Sequence, residues 1–387
     1  MNSVRLAPMA HTADIPALRD RTWLFTGAEG PALRVQSEAL QVYLDNRDDG
    51  QHGRDAHAAV EARLRRRLAG MLGLNCDDIA LVSNASEAMN LVAFVLDLEA
   101  GDNVVVNDFE YPSVVLPWLR LAERGVEVRV ARRQGWAMPV ASITDLIDES
   151  TKVVALSHVS YASGWRHDVA AISAAAERAG ALFVLDATQS LGAIPVPARL
   201  ADVTISSSYK WLLGGHGLGV LAWNQQRRPL PEPRQVGWRS IVDLFSPDRF
   251  ERYTLHGDAR RFEVGYPSYP SIYLLEASTA WLGQFEPEAV RDHVLSLSGQ
   301  LVEGLAAEGF ELMTPLATET RAGNVSISLE QGQEVARQLA SEGIHCWGGD
   351  GRLRASVHLF NGSHDVSVLL HALERLNLPR RDREAQR

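Results

Sequence analysis

Cysteine is scarce in this chain: Cys76 and Cys346 are the only two among 387 residues. So few thiols rule out a disulfide framework and suit a reducing compartment. Long apolar runs are missing too, and none approaches the roughly 20 residues that a membrane-spanning helix needs. The opening residues lack the basic-then-apolar pattern of a secretory leader. A cytoplasmic protein without a membrane partner is expected. Positive charge is in deficit, with 38 Lys and Arg against 48 Asp and Glu and a formal net charge of -10. Non-specific attraction to nucleic acid is therefore not expected. The basic cluster Arg63 to Arg67 lies among acids and reads as a solvated helix face.

What is present is an ordinary globular composition, 46% hydrophobic and 22% charged. Its length allows one large and one smaller domain. Residues 51–71 read as a helix, with Val60, Leu64, Leu68 and Leu72 four apart. The middle of the chain repeats a theme of short apolar β-branched run, polar turn and Ala- or Leu-rich helix. The runs are 79–83, 104–107, 126–131, 153–157, 182–186, 203–206 and 219–223. That alternation predicts an α/β domain, with parallel strands joined by crossover helices and a sheet covered on both faces. A Pro- and Arg-rich stretch at 227–239 breaks the theme. A long helical segment at 272–285 and alternating runs at 324–329 and 352–359 then predict a smaller α+β C-terminal domain. The expected organisation is an N-terminal arm at 1–22, a large domain at 23–260 and a small domain at 261–387, with a frayed tail from 379.

In open parallel sheets, ligands sit outside the carboxyl ends of the strands, and three strand ends carry chemistry. The first delivers Ser83-Asn84-Ala85-Ser86-Glu87 into a helix, whose free N–H groups and dipole favour an anion. The run 182–186 ends in Asp186, then Ala187-Thr188-Gln189. A partly buried carboxylate there needs a cationic or hydrogen-bonding partner, such as a protonated pyridine nitrogen, while Gln189 can donate to a phenolate oxygen. The run 203–206 leads to Ser207-Ser208-Tyr209-Lys210-Trp211. A lysine among apolar and aromatic neighbours loses its proton readily and becomes nucleophilic. The glycines that follow it, Gly214 to Gly219, lack the strand and helix context of a dinucleotide fingerprint. Each signal alone also describes a plain helix cap or strand end. The three in this order, in one α/β domain, point to a single site.

From Trp23 to about Leu378 the chain resembles the fold-type-I pyridoxal-phosphate (PLP) enzymes of the class V aminotransferase family, which includes cysteine desulfurases, kynureninases and isopenicillin N epimerases. The segments that carry the resemblance are Ser157-His158-Val159-Ser160-Tyr161, Asp186-Ala187-Thr188-Gln189-Ser190 and Ser207-Ser208-Tyr209-Lys210-Trp211. Glu110-Tyr111-Pro112-Ser113, Phe262-Glu263-Val264-Gly265 and Arg352-Leu353-Arg354-Ala355-Ser356 support them. The resemblance implies that Lys210 holds PLP as a Schiff base and shuttles protons at the substrate Cα. It implies that Asp186 keeps the ring nitrogen protonated and that Gln189 contacts the ring hydroxyl. Ala85, Ser86, Ser207 and Tyr209 would bind the phosphate, and Tyr111 would stack on the ring. Arg354 would grip the substrate carboxylate. His158 would lie near the cofactor, and Tyr161 would reach the substrate. A homodimer is implied, with active sites at the subunit interface and the Gly265-Tyr266 loop completing the neighbour's phosphate site. Tyr266 departs from the pattern, since many members carry Thr there.

A second departure bears on the reaction. Desulfurases carry a cysteine on a mobile loop just before the carboxylate arginine. Here residues 343–344 are joined to Arg354 by nine residues, too short for that loop, and Cys346 lies near a strand. The reading is a PLP-dependent enzyme acting on an α-amino acid, as a β-eliminating C–S lyase of a cysteine conjugate. The alternatives are a class V aminotransferase producing a ketoacid, an epimerase, and a PLP-binding protein without turnover. Trp136, Trp165, Trp211, Trp238 and Trp347 hint at a bulky or flat substrate.

Overall fold

The chain, described for residues 5–380 by a computed structural model, packs two sheets with their helices. Of the expected arm and tail, residues 1–4 and 381–387 lie outside the described residues. The strands are β1 Thr22–Leu24, β2 Ile79–Val82, β3 Asn103–Asn107, β4 Glu127–Ala131, β5 Thr151–Ser157, β6 Leu182–Asp186, β7 Val203–Ser207, β8 Gly219–Trp223, β9 Asn324–Ser328, β10 Ile344–Gly349 and β11 Arg352–Ser356. The helices are α1 Arg34–Asp48, α2 Gly50–Leu72, α3 Ala85–Val95, α4 Pro112–Leu121, α5 Val140–Thr144, α6 Val169–Arg178, α7 Tyr269–Leu282, α8 Pro287–Ala307, α9 Gly332–Ser341 and α10 Ser363–Arg375.

The seven apolar runs form one sheet in the order β2-β8-β7-β6-β5-β3-β4. Strands β4, β3, β5, β6 and β7 are mutually parallel, as the crossover helices demand. The run at 219–223 departs from that pattern: β8 is antiparallel to both β7 and β2. Only a tight loop joins it to β7, too short for a crossover. Alternate side chains enter opposite cores. Leu81, Val105, Phe183 and Leu185 face one core, while Ala80, Val104, Val184 and Val203 face the other.

The smaller sheet runs β1-β10-β11-β9. Thr22–Leu24 pairs in parallel with Ile344–Cys346, so the chain enters the small sheet before it builds the large one. The N-terminal segment docks there as well, with Leu6 N–H donating to Ser363 Oγ at 2.9 Å and Met9 N–H to Leu359 O at 2.8 Å. α7, beyond the expected boundary at 261, packs on α1 and α2. It begins where Ser268 caps the N–H of Ser271, with Pro270 in its first turn.

The basic cluster Arg63 to Arg67 is not wholly a solvated face. Arg65 is buried, and its Nη2 pairs with Glu61 and Glu263 at 2.6 Å each. Arg239 joins the same two carboxylates, and Tyr269 Oη donates to Glu61 Oε2 at 3.0 Å. The cluster also completes the outer side of β2. Glu263 Oε1 accepts the N–H of Leu81 at 2.8 Å, and Arg65 Nη1 donates to Ile79 O at 2.6 Å. Opposite charge holds the Glu61 carboxyl below its ordinary range despite burial. Glu263→Ala would leave two buried guanidinium groups with only one of their two shared carboxylates, Glu61. It is expected to cost about 3–5 kcal/mol in urea unfolding; a loss below about 1 kcal/mol would show that the cluster contributes little.

Candidate active site at the carboxyl edge of the large sheet

Strands β2, β3, β5, β6 and β7 all end on one edge, and their following residues line a single cavity. The lining is Asn84, Ala85, Ser86, Tyr111, Ser113, Ser157, Tyr161, Asp186, Thr188, Gln189, Ser207, Tyr209 and Lys210. Nine residues expected from the sequence therefore meet: Ala85, Ser86, Tyr111, Tyr161, Asp186, Gln189, Ser207, Tyr209 and Lys210.

One wall is the turn from β2 into α3. Asn84 caps the helix, its side chain accepting from Glu87 N at 2.8 Å, and Glu87 reaches back to the N–H of Ser83 at 2.8 Å. The first N–H groups of α3, on Ala85 and Ser86, have no intrahelical acceptor, and both residues line the cavity. β8 begins directly beneath, where a Cβ on Gly219 would lie 2.5 Å from the Asn84 carbonyl carbon. Only glycine permits that approach.

The floor comes from β5, β6 and β7. Register places Ser157 beside Asp186 and Asp186 beside Ile205. Asp186 Oδ1 accepts from Thr188 N–H at 2.8 Å, and Thr188 Oγ1 accepts from Ser207 N–H at 3.1 Å. Burial raises the Asp186 carboxyl above its ordinary range, opposed by the Thr188 bonds and the Lys210 charge. The Lys210 amine is pushed down to about 8, first by burial and then by Arg354, with Asp186 opposing. It is thus partly unprotonated at neutral pH. Lys210 Nζ lies 5.5 Å from the Tyr111 ring centre and 5.7 Å from that of Tyr209, and Tyr209 stacks on His216 at 4.1 Å.

The Gln189 amide has a fixed orientation. Trp211 Nε1, a donor only, gives its proton to Gln189 Oε1 at 2.9 Å, and Asn324 Nδ2 donates to the same oxygen at 3.0 Å. Gln189 Nε2 donates to Gly27 O at 2.9 Å, which leaves one N–H of this cavity-lining residue to spare.

Four expected residues do not line the cavity. His158 is buried behind it, its backbone N–H on Asp186 O at 2.8 Å and its Nδ1 without a partner. Burial, then Arg166 and His167, pushes the ring down to about 3, so it stays neutral. Arg354 sits on β11, its Nη1 donating to Tyr161 O at 2.7 Å. Gly265 and Tyr266 lie elsewhere. Tyr266 lines a separate groove with Trp238 and Arg239, and its hydroxyl meets Arg54 at 3.3 Å. Neither cysteine is at the site. Cys346 is buried in β10 with its thiol pushed up to about 12 by burial, and Cys76 lines the Tyr266 groove.

Sequence reasoning assigned no role to Thr188, Ser157, Ser113 or Glu110. Thr188 and Ser157 could have been found from their places at the ends of adjacent strands. Glu110 is hidden behind the cavity. It accepts from Ser157 N–H at 2.9 Å, Ser157 Oγ at 2.5 Å and Asn107 Nδ2 at 2.6 Å. Burial raises its carboxyl to about 7, the Ser157 bonds oppose this, and the nearby Asp186 adds to it.

The sequence pattern of the family described as Aminotransferase class-V matches residues 32–369. A probable cysteine desulfurase of Methanothermobacter thermautotrophicus is 29% identical, over 94% of this chain and 96% of that protein. A kynureninase of Deinococcus radiodurans is 32% identical, over 74% of this chain and 70% of its own. The apo structure of a cysteine desulfurase from Thermococcus onnurineus superposes with a TM-score of 0.86 at 26% identity, covering 97% of this chain and 98% of that one.

The cavity suits PLP on its own chemistry. Ser207 Oγ is buried with no hydrogen-bond partner, a cost that an acceptor or donor on a ligand would remove. A free helix N-terminus stands at one end for a phosphate, a buried carboxylate for a ring nitrogen and a partly neutral lysine for an aldehyde.

Glu110 gives a pH test. Its folded value lies above the free-chain value of 4.5, so the unfolded chain releases this proton first. Its contribution to stability is present below about 4.5 and lost as pH rises toward about 7. The cofactor-free protein should lose about 3 kcal/mol relative to Glu110→Gln across that window, read by urea unfolding at each pH. Parallel curves would refute the buried titration.

Proposed function

We propose, for a chain that belongs to the class-V aminotransferase family and is therefore a pyridoxal-phosphate-dependent enzyme, that it acts as a β-eliminating C–S lyase on a cysteine conjugate. The observation that carries the reading is a cavity that joins Lys210 to Asp186 with no thiol at its walls. Cleavage of a C–S bond needs no protein thiol when sulfur leaves with its own substituent. The cysteine desulfurases among the similar proteins support C–S chemistry.

In this reading Ala85, Ser86, Ser207 and Tyr209 hold the phosphate. Asp186 would pair with the ring nitrogen, Gln189 would offer its spare N–H to the ring oxygen, and Tyr111 would lie against the ring. When bound, PLP supplies an electron sink for the pair of electrons left at the substrate Cα. Lys210, depressed toward neutrality by burial, takes the Cα proton and returns it to the departing sulfur. Arg354, buried on β11, binds the α-carboxylate and so fixes which bonds at Cα face Lys210. The Cβ–S bond breaks with both electrons on sulfur. The balance is conjugate plus water giving thiol, pyruvate and ammonium. We place a second subunit against the groove of Trp238, Arg239 and Tyr266, whose exposed aromatic rings suit such a contact.

The test is a spectral titration of the holoenzyme with cysteine S-conjugates, with products assayed. Thiol and pyruvate in equal amounts are expected. A ketoacid that retains the sulfur substituent, together with a pyridoxamine spectrum, would make the enzyme an aminotransferase instead. Lys210→Ala should lose covalently held cofactor absorbance and turnover together. Arg354→Gln should raise the half-saturating conjugate concentration at least about tenfold while the cofactor spectrum is kept. Unchanged saturation would remove Arg354 from substrate binding.

A further inference from the structure

Beside the carboxylate arginine stands a second one that the reaction as described leaves unused. Arg352 and Arg354 are two residues apart on β11, so their side chains leave the same face of the strand. Both are 3% exposed. Arg354 Nη1 donates to Tyr161 O at 2.7 Å, and Arg352 Nη1 donates to Asp350 Oδ2 at 2.6 Å. The Nε of each guanidinium is buried with no hydrogen-bond acceptor.

Aromatic rings frame the pair. Arg352 Cζ lies 4.9 Å from the ring centres of both Tyr161 and Trp347, and Arg354 Cζ lies 5.2 Å from Trp347. Register puts Trp347 opposite Arg354 and Gly349 opposite Arg352. A Cβ at Gly349 would stand 3.2 Å from the indole, so the missing side chain makes room for it. Tyr161, which packs against Arg352, is also a wall of the Lys210 cavity. Asp350, which neutralises Arg352 from one side, sits with Gly351 at the turn between β10 and β11, its side chain largely exposed.

Rings attract guanidinium faces but accept no N–H in the guanidinium plane, so the stacking leaves both Nε groups unsatisfied. Two like charges buried side by side also oppose each other. The Arg354 guanidinium is pushed down to about 9 by burial and then by Arg352. An anion binding at each would remove both costs, and one α-carboxylate supplies only one of them.

We propose that Arg352 and Arg354 form a paired anion clamp, Arg354 for the α-carboxylate and Arg352 for an acidic group at the end of the substrate side chain. The substrate class is an amino acid with a terminal side-chain carboxylate. Resting on the lyase reading above, this means a cysteine S-conjugate with an acidic tail.

The experiment compares S-carboxymethyl-L-cysteine with S-carbamoylmethyl-L-cysteine, of nearly equal size but different charge, on the holoenzyme. Half-saturation is followed by the cofactor absorbance and thiol release. The acid is expected to saturate at least about tenfold lower than the amide. Arg352→Gln should bring the ratio close to one, Arg352→Lys should keep part of it, and Arg354→Gln should weaken both probes alike. Equal saturation in the unaltered enzyme overturns the clamp while leaving the lyase reading intact, and that comparison needs no variant to fold. A preference that survives in Arg352→Gln overturns it as well. If neither probe perturbs the cofactor or releases thiol, the lyase reading fails and the clamp fails with it.

Discussion

The ladder β5–β6–β7 is the constraint on which the site depends. Parallel register sets Ser157 beside Asp186 and Asp186 beside Ile205, so β5 and β6 end level, β7 runs on to Ser207, and all three release their chains into one space. From that edge Thr188 ties Asp186 to Ser207, and three residues beyond Ser207 the chain presents Lys210. The ladder is almost wholly buried, so close packing on both faces holds its geometry. The lysine and the carboxylate oppose each other's burial shifts in the same small volume. Each charge lessens the other's cost of burial, and together they suit a ligand with both an electrophilic carbonyl and a cationic nitrogen.

The small sheet contributes a different kind of order. Arg354 is carried on β11, far along the chain from Lys210, yet its charge is felt at the Lys210 amine. β1 closes that sheet from the other end of the sequence. Gln189 binds Gly27, Trp211 and Asn324 together, so the same amide touches the N-terminal segment, the lysine loop and the small sheet. One side chain at the cavity wall thereby ties three distant segments of the chain together.

How far this could be seen in the sequence follows from what kind of signal each part leaves. The strands of the large sheet were legible because strands covered on both faces are continuous apolar runs; the antiparallel direction of β8 was not. β10 was not, since Ile344–Gly349 holds His345, Trp347 and two glycines and pairs with β1 more than 300 residues away. Lys210 and Asp186 were legible as polar residues ending apolar strands. Arg65 was misread, because a run of arginines looks like surface until distant Glu263 and Arg239 are folded onto it. Arg352 stood in a quoted motif with no role, since its unsatisfied Nε exists only once Tyr161 and Trp347 close around it.

The cluster around Glu263 has one more effect. A terminal strand normally offers its outward N–H and C=O groups to any passing chain. At β2 Glu263 and Arg65 already occupy the groups of Leu81 and Ile79. At the opposite margin β4 presents Glu127 and Arg129, engaged with each other and with Asp148. A neighbouring molecule therefore finds neither flank ready to add a strand. The large sheet is guarded against edge-to-edge polymerisation by the same ions that hold its loops in place.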